Sequence, residues 1–269
     1  MSALQFGFLG GGQMATAIAR GAILSGIATD ADIAFCDTNP DQIAVLNQKF
    51  PRCVLASEPD DLFDKCTRII LAVKPQTLLD IAVGLEAKIT PEHLLVSIAA
   101  GISLGKLANC LGTERIIRVM PNTPCQSLEG ASGIAVARAV TPEDFEWCKS
   151  IFSAVGKVVR VTDDQLHGVT GVSGSGPAYV LMMIEALSDG GVMAGLSRQA
   201  ALELATQTVL GTAKMVQETG IHPAILREQV TSPGGTTIAA LSTMERAGFR
   251  SAVIDGVMAA VKRSRELAG

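Results

Sequence analysis

The order of strand-like and helix-like segments constrains the fold of this chain more than any single motif does. Residues 1–161 alternate between short apolar runs and helical stretches. Strands are predicted at 4–10, 32–37, 53–56, 68–74, 94–101, 115–121, 133–137 and 157–161. Several of these runs are apolar on both faces, which is typical of parallel strands covered by helices. The alternation predicts βαβ units and therefore a doubly wound α/β sheet.

The second half of the chain has a different character, because no convincing strand follows Asp163. Helices are predicted at 177–195, 197–219, 222–230, 236–247 and 249–267. Three glycines are expected to end helices, namely Gly195, Gly220 and Gly248. Two serines are expected to begin helices, namely Ser197 and Ser232. We therefore predict an α/β domain with a doubly wound sheet over 1–162 and an all-helical domain over 163–269.

The helix at 198–217 has few charges and carries apolar residues on more than one face. Two interpretations stay open: a central helix buried within its domain, or a helix at a subunit interface. The helices of 163–269 would make a thin domain on their own. The sequence therefore favours an interlocked homodimer, with the helical half as the dimerisation domain.

Composition and charge argue against several classes of protein. Hydrophobic residues make up 48% and charged residues 18%, which is enough apolar material for a large core. A net charge of −4 argues against a nucleic-acid partner, which would need a basic face. No apolar stretch is long enough to predict a membrane span, and the N-terminus lacks a signal-peptide pattern. The six cysteines form no C-x-x-C pair, so we expect free thiols, no metal site and a cytoplasmic location.

Gly10, Gly12 and Ala15 form a G-x-G-x-x-A pattern directly after the first strand and at the start of a helix. Gly10 allows a tight turn, Gly12 lets the backbone approach a pyrophosphate, and Ala15 lets the helix pack on the strand. The first helical residues, Gln13 and Met14, then offer unpaired N–H groups to the phosphates. The pattern alone is weak, but at the first strand of an alternating α/β domain it predicts a dinucleotide site. Residues 1–162 are therefore predicted to be a dinucleotide-binding Rossmann domain.

Asp37 ends the second predicted strand. An acid at this place usually binds the ribose hydroxyls of NAD, whereas a nearby basic residue favours the extra phosphate of NADP. Residues 37–42 contain no Arg or Lys, which favours NAD weakly, although Thr38 and Asn39 could donate to a phosphate. Alternatively, Asp37 only caps the helix that begins at Pro40.

Turn-forming or polar residues follow three further strands, in the segments 72–76, 97–101 and 119–124. A ligand of a doubly wound sheet lies across the carboxyl ends of its strands. Asn122 stands between two prolines and is hard to explain by packing, so its amide would suit the nicotinamide or a substrate.

Taken together, the motifs resemble the pyrroline-5-carboxylate reductase family from end to end. They are GGGQMATAI, LAVKPQ, AAGISL, RVMPNTP, GVTGVSGSGPAYV, DGGVMAGL, GTAKMV and VTSPGGTTIAAL. SGSGPAY together with SPGGTT is specific to that family rather than to dinucleotide folds. The resemblance implies reduction of 1-pyrroline-5-carboxylate to L-proline with NADPH or NADH. It also implies a helical dimerisation domain and frequent assembly into decamers of five dimers.

The same resemblance assigns site residues. The cofactor is implied to be lined by Ala72, Val73, Lys74, Pro75, Ala99, Ala100 and Gly101. The substrate is implied to bind at Ser232, Gly234, Gly235, Thr236, Thr237, Ser175 and Asp163. Backbone amides of the SPGGTT loop would hold the substrate carboxylate, and the Thr237 hydroxyl would face the ring nitrogen. Asp163 stands where the family often has Glu.

The residues fit this chemistry. A protonated cyclic imine is already electrophilic, so the protein mainly has to hold it against the hydride donor. A hydroxy-acid dehydrogenase would instead need a His or Lys as general acid or base. His93, His167 and His222 stand in no catalytic pattern and are interpreted as structural.

Two other functions stay open. A β-hydroxyacid dehydrogenase would match the glycines at 171, 174 and 176, but its catalytic lysine position is occupied by Val180. A redox sensor would bind NADP without turnover, but it would not need the second glycine- and hydroxyl-rich helix start at 231–237.

Overall fold

The computed structural model describes residues 4–268, which form two compact units. The first unit comprises residues 4–175 together with 259–268, and the second comprises 176–258. The predicted domain boundary at residue 162 divides the chain differently and stays a prediction. The difference arises because the last helix begins in the second unit and ends in the first.

One eight-stranded sheet forms the centre of the first unit, with the strand order β3-β2-β1-β4-β5-β6-β7-β8. Its strands are β1 (Phe6–Leu9), β2 (Ile33–Cys36), β3 (Val54–Ala56), β4 (Arg68–Leu71), β5 (Leu94–Ser97), β6 (Ile116–Met120), β7 (Gly130–Val136) and β8 (Gly156–Arg160). Every predicted strand overlaps one of these. The predicted doubly wound Rossmann sheet is confirmed, with β1 at its centre.

The sheet is parallel from β3 through β6, but β7 is antiparallel to β6, and β8 is parallel to β7. The strand pattern does not predict this reversal, because it reports burial and not direction. Its cause is the connection between β6 and β7. Residues 121–129 hold only a short 3₁₀ helix, Thr123–Ser127, and a parallel crossover needs a dozen residues or more.

Seven α-helices of the described residues lie wholly in the first unit, beside the sheet. They are α1 (Gln13–Leu24), α2 (Pro40–Lys49), α3 (Pro59–Lys65), α4 (Pro75–Glu86), α5 (Leu104–Leu111), α6 (Pro142–Ser153) and α7 (Gln165–Val169). Proline opens four of them, where its fixed φ suits a helix and its missing N–H leaves no bond unmade.

Alternate residues of the central strands build two separate cores. Phe6, Phe8 and Phe35 belong to one layer, in which the rings of Phe8 and Phe35 stack at 5.0 Å. Leu9 and Leu71 point to the other layer. All five side chains are 3% exposed or less, so this double layer fixes the sheet that carries the glycine loop.

Asp144 ties α6 to the start of β6. Its side chain forms a capping box with Thr141 and accepts two hydrogen bonds of 2.8 Å from the Arg115 guanidinium. Burial raises the pKa of the Asp144 carboxyl, but hydrogen bonds from Arg115 and Thr141 outweigh it, so the pKa lies below its ordinary value. A carboxyl with a lowered pKa stabilises the fold above its unfolded pKa and loses that contribution as pH falls.

Replacing Asp144 with Asn should therefore lower the free energy of unfolding by about 3 kcal/mol at neutral pH, because Arg115 loses its charged partner. Urea denaturation measures this difference, which should shrink as pH falls below the ordinary Asp pKa of about 3.9 and vanish only once pH falls below the lowered pKa of Asp144 in the folded protein. Glu143→Gln, on the exposed neighbour, is the matched control and should leave stability unchanged. If Asp144→Asn and Glu143→Gln lowered the free energy of unfolding equally, the loss could not be assigned to the Asp144–Arg115 ion pair.

The second unit is helical in all its regular structure. It contains α8 (Gly176–Met193), α9 (Arg198–Thr219), α10 (Pro223–Gln229), α11 (Thr236–Arg246) and the first half of α12 (Phe249–Ala268). All five predicted helices are present. Ser197 caps α9 by accepting from the Ala200 N–H, and Gly220 ends α9 in the left-handed conformation, as the sequence predicts.

Apolar side chains cover much of the outside of the second unit. In α9 only Ala201 and Ala205 are buried, so the interpretation of 198–217 as a helix buried within its own domain is wrong for this chain. Many large side chains are more than two fifths exposed, including Leu181, Met182, Met193, Leu202, Leu204, Leu210, Ile254 and Met258. Across residues 4–268, no helix is long and apolar enough to cross a membrane.

Candidate active site

The glycine loop follows β1 at the carboxyl edge of the sheet. The Gly10 N–H donates to Cys36 O of β2 at 2.8 Å, and Ala72 N–H after β4 donates to Leu9 O at 2.8 Å. Gly10 has a φ of +97°, and a Cβ added there would lie 2.8 Å from the backbone carbon and oxygen of Ala72. Only glycine fits this turn, which brings the ends of three strands together.

The N-terminus of α1 is open to an anion. Gly12 is its N-cap and provides no side-chain hydrogen bond, and the first turn contains no acid. The first N–H groups of the helix, at Gln13 and Met14, therefore have no partner within the helix. A Cβ at Gly12 would meet no atom within 4 Å, so the space beside this backbone is free. Both features fit a pyrophosphate.

Asp37 supports the glycine loop. One carboxylate oxygen accepts from the Gly11 N–H at 2.7 Å and the other from the Asn39 N–H at 2.9 Å. The interpretation of Asp37 as the cap of α2 is wrong, because Asn39 is that cap and accepts from the Asp41 N–H. Asp37 thus connects the end of β2 to the loop that would hold the phosphates.

Replacing Asp37 with Asn should weaken the binding of NADPH and NADH alike, because an amide can accept only one of the two N–H bonds. We expect an approximately tenfold rise in both dissociation constants, from the loss of a charged hydrogen bond of about 1.5 kcal/mol. Fluorescence titration measures both constants. Asp41→Asn, in the first turn of α2, is the control. A loss confined to NADH would show instead that Asp37 binds the ribose hydroxyls.

Three residues that the sequence motifs do not single out also fix the loop. The Gln42 side-chain amide donates to Gly11 O at 2.6 Å, and the Thr16 hydroxyl lies within 3.2 Å of Gly11 O and 2.9 Å of Gly12 O. A Cβ at Gly11 would lie 2.5 Å from Leu46. Gln42 is 31 residues from Gly11, so only the fold reveals this contact.

The segments after β4 and β5 reach the same edge of the sheet as the glycine loop. Lys74 is the N-cap of α4 and Pro75 is its first residue. Ala99 is buried, and its N–H contacts the Ser97 hydroxyl at 3.3 Å. Ala72 and Val73, and Ala100 and Gly101, complete the two segments that the sequence assigns to the cofactor.

Asn122 is 8% exposed and joins two neighbouring parts of the first unit. Its amide donates to Ser173 O at 3.0 Å, and its oxygen accepts from the Ala131 N–H at 2.8 Å. Ser173 lies in a π-helical turn, Thr170–Gly174, which ends at Ser175. The amide keeps one further N–H for a ligand, and its contact with the cofactor stays a prediction.

Asp163 also makes contacts within the first unit. One carboxylate oxygen forms an ion pair of 2.7 Å with the buried Arg118 of β6, and the other accepts from the Leu104 N–H at the start of α5 at 2.9 Å. Asp163 therefore fixes the end of the loop between β5 and α5. Its contact with the substrate stays a prediction.

The SPGGTT loop lies in the second unit. The Gly235 N–H donates to Ser232 O at 3.1 Å, and Gly234 has a φ of +66°. The expectation that Ser232 caps the helix is wrong, because the left-handed Gly234 turns the chain and α11 begins only at Thr236. Gly235 is the N-cap, without a side-chain hydrogen bond, so the N–H groups of Thr236 and Thr237 have no helical partner.

A doubly wound sheet with a glycine loop and an open helix N-terminus at its carboxyl edge defines a dinucleotide-binding Rossmann protein. The domain family "NADP oxidoreductase coenzyme F420-dependent" matches residues 5–101. The domain family "Pyrroline-5-carboxylate reductase dimerisation" matches residues 163–267. The predicted fold class, a Rossmann domain followed by a helical dimerisation domain, is thereby confirmed.

Full-length relatives identify the family. The chain is 45% identical to pyrroline-5-carboxylate reductase of Pisum sativum, over 97% of this chain and 95% of that protein. It is 40% identical to pyrroline-5-carboxylate reductase of Escherichia coli, over 98% of both chains. The chain belongs to the pyrroline-5-carboxylate reductase family.

Solved structures agree with this assignment. The pyrroline carboxylate reductase of Plasmodium falciparum, with NADP bound, is 31% identical over the whole of both chains, with a TM-score of 0.88. The pyrroline-5-carboxylate reductase of Coxiella burnetii is 33% identical, again over both whole chains, with a TM-score of 0.92. The structure of prephenate dehydrogenase from Aquifex aeolicus, at 15% identity and a TM-score of 0.56, shares the fold alone.

Proposed function

We propose that this protein reduces 1-pyrroline-5-carboxylate to L-proline, with NADPH as the hydride donor and NADH as an alternative. The single observation that carries the proposal is the match along 97% of the chain to a pyrroline-5-carboxylate reductase. A hydride adds to the carbon of the C=N bond and the nitrogen carries a proton, so the products are proline and oxidised cofactor.

The first unit binds the cofactor in this proposal. The N–H groups of Gln13 and Met14 hold the pyrophosphate, and Gly12 leaves room for it. Two strand-end segments line the rest of the cofactor. Ala72, Val73, Lys74 and Pro75 form one, and Ala99, Ala100 and Gly101, which the family resemblance places by the nicotinamide ribose, form the other. Both Asp37 oxygens accept from the backbone, so in this proposal Asp37 holds the glycine loop. The choice of NADPH is supported by the relative whose structure has NADP bound.

The N-terminus of α11 binds the substrate carboxylate in this proposal. Unpartnered N–H groups and the helix dipole attract an anion, and the first turn of α11 contains no acid. The other assigned residues of the SPGGTT loop lie next to this N-terminus in sequence, namely Ser232, Gly234, Gly235 and Thr236. Thr237 is half-buried, and its hydroxyl makes no hydrogen bond to any described residue, so it is free to contact the ring nitrogen. Ser175 and Asp163 complete the assigned substrate residues.

The experiment that tests this function is steady-state oxidation of NADPH and of NADH, each with 1-pyrroline-5-carboxylate and with its six-membered homologue. We expect turnover with the five-membered imine, and faster turnover with NADPH. Binding of NADPH without oxidation would contradict the proposal and favour a redox sensor. Preference for the six-membered ring would make a related imine the substrate.

The quaternary structure in this proposal is a homodimer formed by the second unit, with decamers of five dimers as the larger assembly. Its support is the number of large apolar side chains that are exposed on α8, α9 and α12, since apolar surface on this scale usually marks an interaction site. Light scattering at micromolar concentration tests it. Leu204→Asp should give monomers, whereas Leu24→Asp on α1, where the side chain is 62% exposed, should not. A monomeric parent protein would reject the dimer.

A cytoplasmic location is part of the same proposal. All six cysteines are free, and four of them are buried. Free thiols in these numbers are typical of a reducing compartment. Localisation of a tagged full chain by microscopy or fractionation tests this assignment.

A further inference from the structure

The loop between β5 and α5, residues 98–103, is held at two points by distant parts of the first unit. At its end, the Leu104 N–H donates to Asp163 at 2.9 Å. In its middle, the last turn of α12 covers Gly101, where an added Cβ would lie 3.5 Å from Leu267 Cβ and 3.7 Å from Leu267 O. The loop therefore depends on residues far along the chain.

The two holding points are joined to each other by one buried pair. His167 Nδ1 lies 2.8 Å from the Ser264 hydroxyl, and the two side chains are only 8% and 6% exposed. His167 lies in α7, which begins two residues after Asp163, and Ser264 lies one turn before Leu267. The pair thus fixes the end of α12 to the same segment that holds the start of α5.

Other contacts between α12 and this segment are weaker. Arg265 and Asp164 lie 3.5 Å apart, with side chains 58% and 77% exposed, so water screens this ion pair. Val261, one turn before Ser264 on α12, is also buried. The His167–Ser264 hydrogen bond is therefore the specific contact between α12 and α7. Removing either side chain leaves the other polar group buried without a hydrogen-bond partner.

We propose that His167 and Ser264 are positioning residues for the loop 98–103. The inference rests on the proposed function, which places Ala99, Ala100 and Gly101 beside the nicotinamide ribose. Holding the loop determines where the hydride donor stands, while the pyrophosphate depends on the separate glycine loop. Loss of the His167–Ser264 pair should therefore lower the rate of hydride transfer more than the affinity for the cofactor.

The test compares Ser264→Ala and His167→Ala with His167→Asn, which keeps a hydrogen-bonding atom near the position of Nδ1. We expect kcat to fall about tenfold in the two alanine variants, since misplacement of about 1 Å lowers rates by up to about 100-fold. The dissociation constant of NADPH should change less than about threefold, and His167→Asn should recover most of kcat. Deuterium at the transferred position of NADPH should slow the alanine variants more than the parent, because hydride transfer limits their rate.

Arg265→Gln is the matched control on the same turn and should leave kcat unchanged. Thermal denaturation checks that every variant is folded at the assay temperature. Equal losses of kcat and NADPH affinity, or an unchanged isotope effect with lowered kcat, would overturn the positioning role. So would a folded Ser264→Ala variant with the parent kcat.

A second readout does not depend on turnover. The nicotinamide fluorescence lifetime and anisotropy of bound NADPH report the mobility of the ring, and both should fall in Ser264→Ala and His167→Ala. If the parent binds NADPH but does not reduce the imine, the proposed function fails while this readout still tests the inference. If the parent reduces the imine and the fluorescence of the variants equals that of the parent, the inference alone fails.

Discussion

Replacing Thr237 with alanine is expected to lower kcat by about 30- to 1,000-fold while the dissociation constant of NADPH stays unchanged. The Thr237 hydroxyl is the proposed hydrogen-bond partner of the ring nitrogen, where charge changes during hydride transfer. Removing one such contact typically raises the barrier by about 2–4 kcal/mol. Steady-state kinetics with NADPH and 1-pyrroline-5-carboxylate, together with fluorescence titration of NADPH, measure the two quantities.

Two further substitutions make the Thr237 result interpretable. Thr237→Ser keeps the hydroxyl and should retain most of kcat. Thr243→Ala removes an exposed threonine from the same helix, two turns further on, where the hydroxyl bonds to Ala239 O, and should leave kcat unchanged. An undiminished kcat in Thr237→Ala would reject the hydroxyl as a participant, and a loss of NADPH affinity would place Thr237 at the cofactor instead.

Replacing Gly12 with alanine is expected to weaken NADPH binding by about 10- to 100-fold without destabilising the protein. Its φ of −63° and ψ of −175° suit alanine, and the added Cβ would meet no protein atom within 4 Å. The methyl group would instead occupy the space of the pyrophosphate, and overpacking of this kind costs about 1–3 kcal/mol. Titration with NADPH and thermal denaturation separate the two effects.

Gly10→Ala should also weaken NADPH binding, but through damage to the fold and not through a clash with the cofactor. The φ of +97° and the 2.8 Å approach to the Ala72 backbone should lower the free energy of unfolding by about 3 kcal/mol or more. Cofactor affinity should fall as a consequence of that damage. If Gly12→Ala were as unstable as Gly10→Ala, or bound NADPH as tightly as the parent, the assignment of the open space to a ligand would be wrong.

The sequence predicts much of this structure, because periodicity and capping are local signals. The strand positions, the glycine turn at Gly10 and the two ends of α9, at Ser197 and Gly220, all follow from neighbours in sequence. The reversed direction of β7 does not, since it depends on the length of the loop before it. Ser232 looks like a helix cap by composition, but the left-handed Gly234 moves the helix start to Thr236.

The roles of polar residues are harder to predict, because their partners are distant along the chain. Asp37 matches the pattern of a ribose ligand, yet its oxygens accept from Gly11 and Asn39. Asn122 is unusual in sequence, and its amide joins residues 131 and 173. His167 is interpreted from sequence as structural, and only the fold shows that Ser264, 97 residues away, is its partner.

The division of α12 between two compact units has a consequence for synthesis. Residues 259–268 belong to the first unit, but the ribosome makes all of residues 176–258 before it reaches them. At about 5–20 residues per second, the first unit waits roughly 4–17 seconds for its last segment. During that interval the sheet can form, while Gly101 and His167 lack the covering that α12 later brings. The nascent chain therefore acquires the complete loop 98–103 only after residues 259–268 have been made.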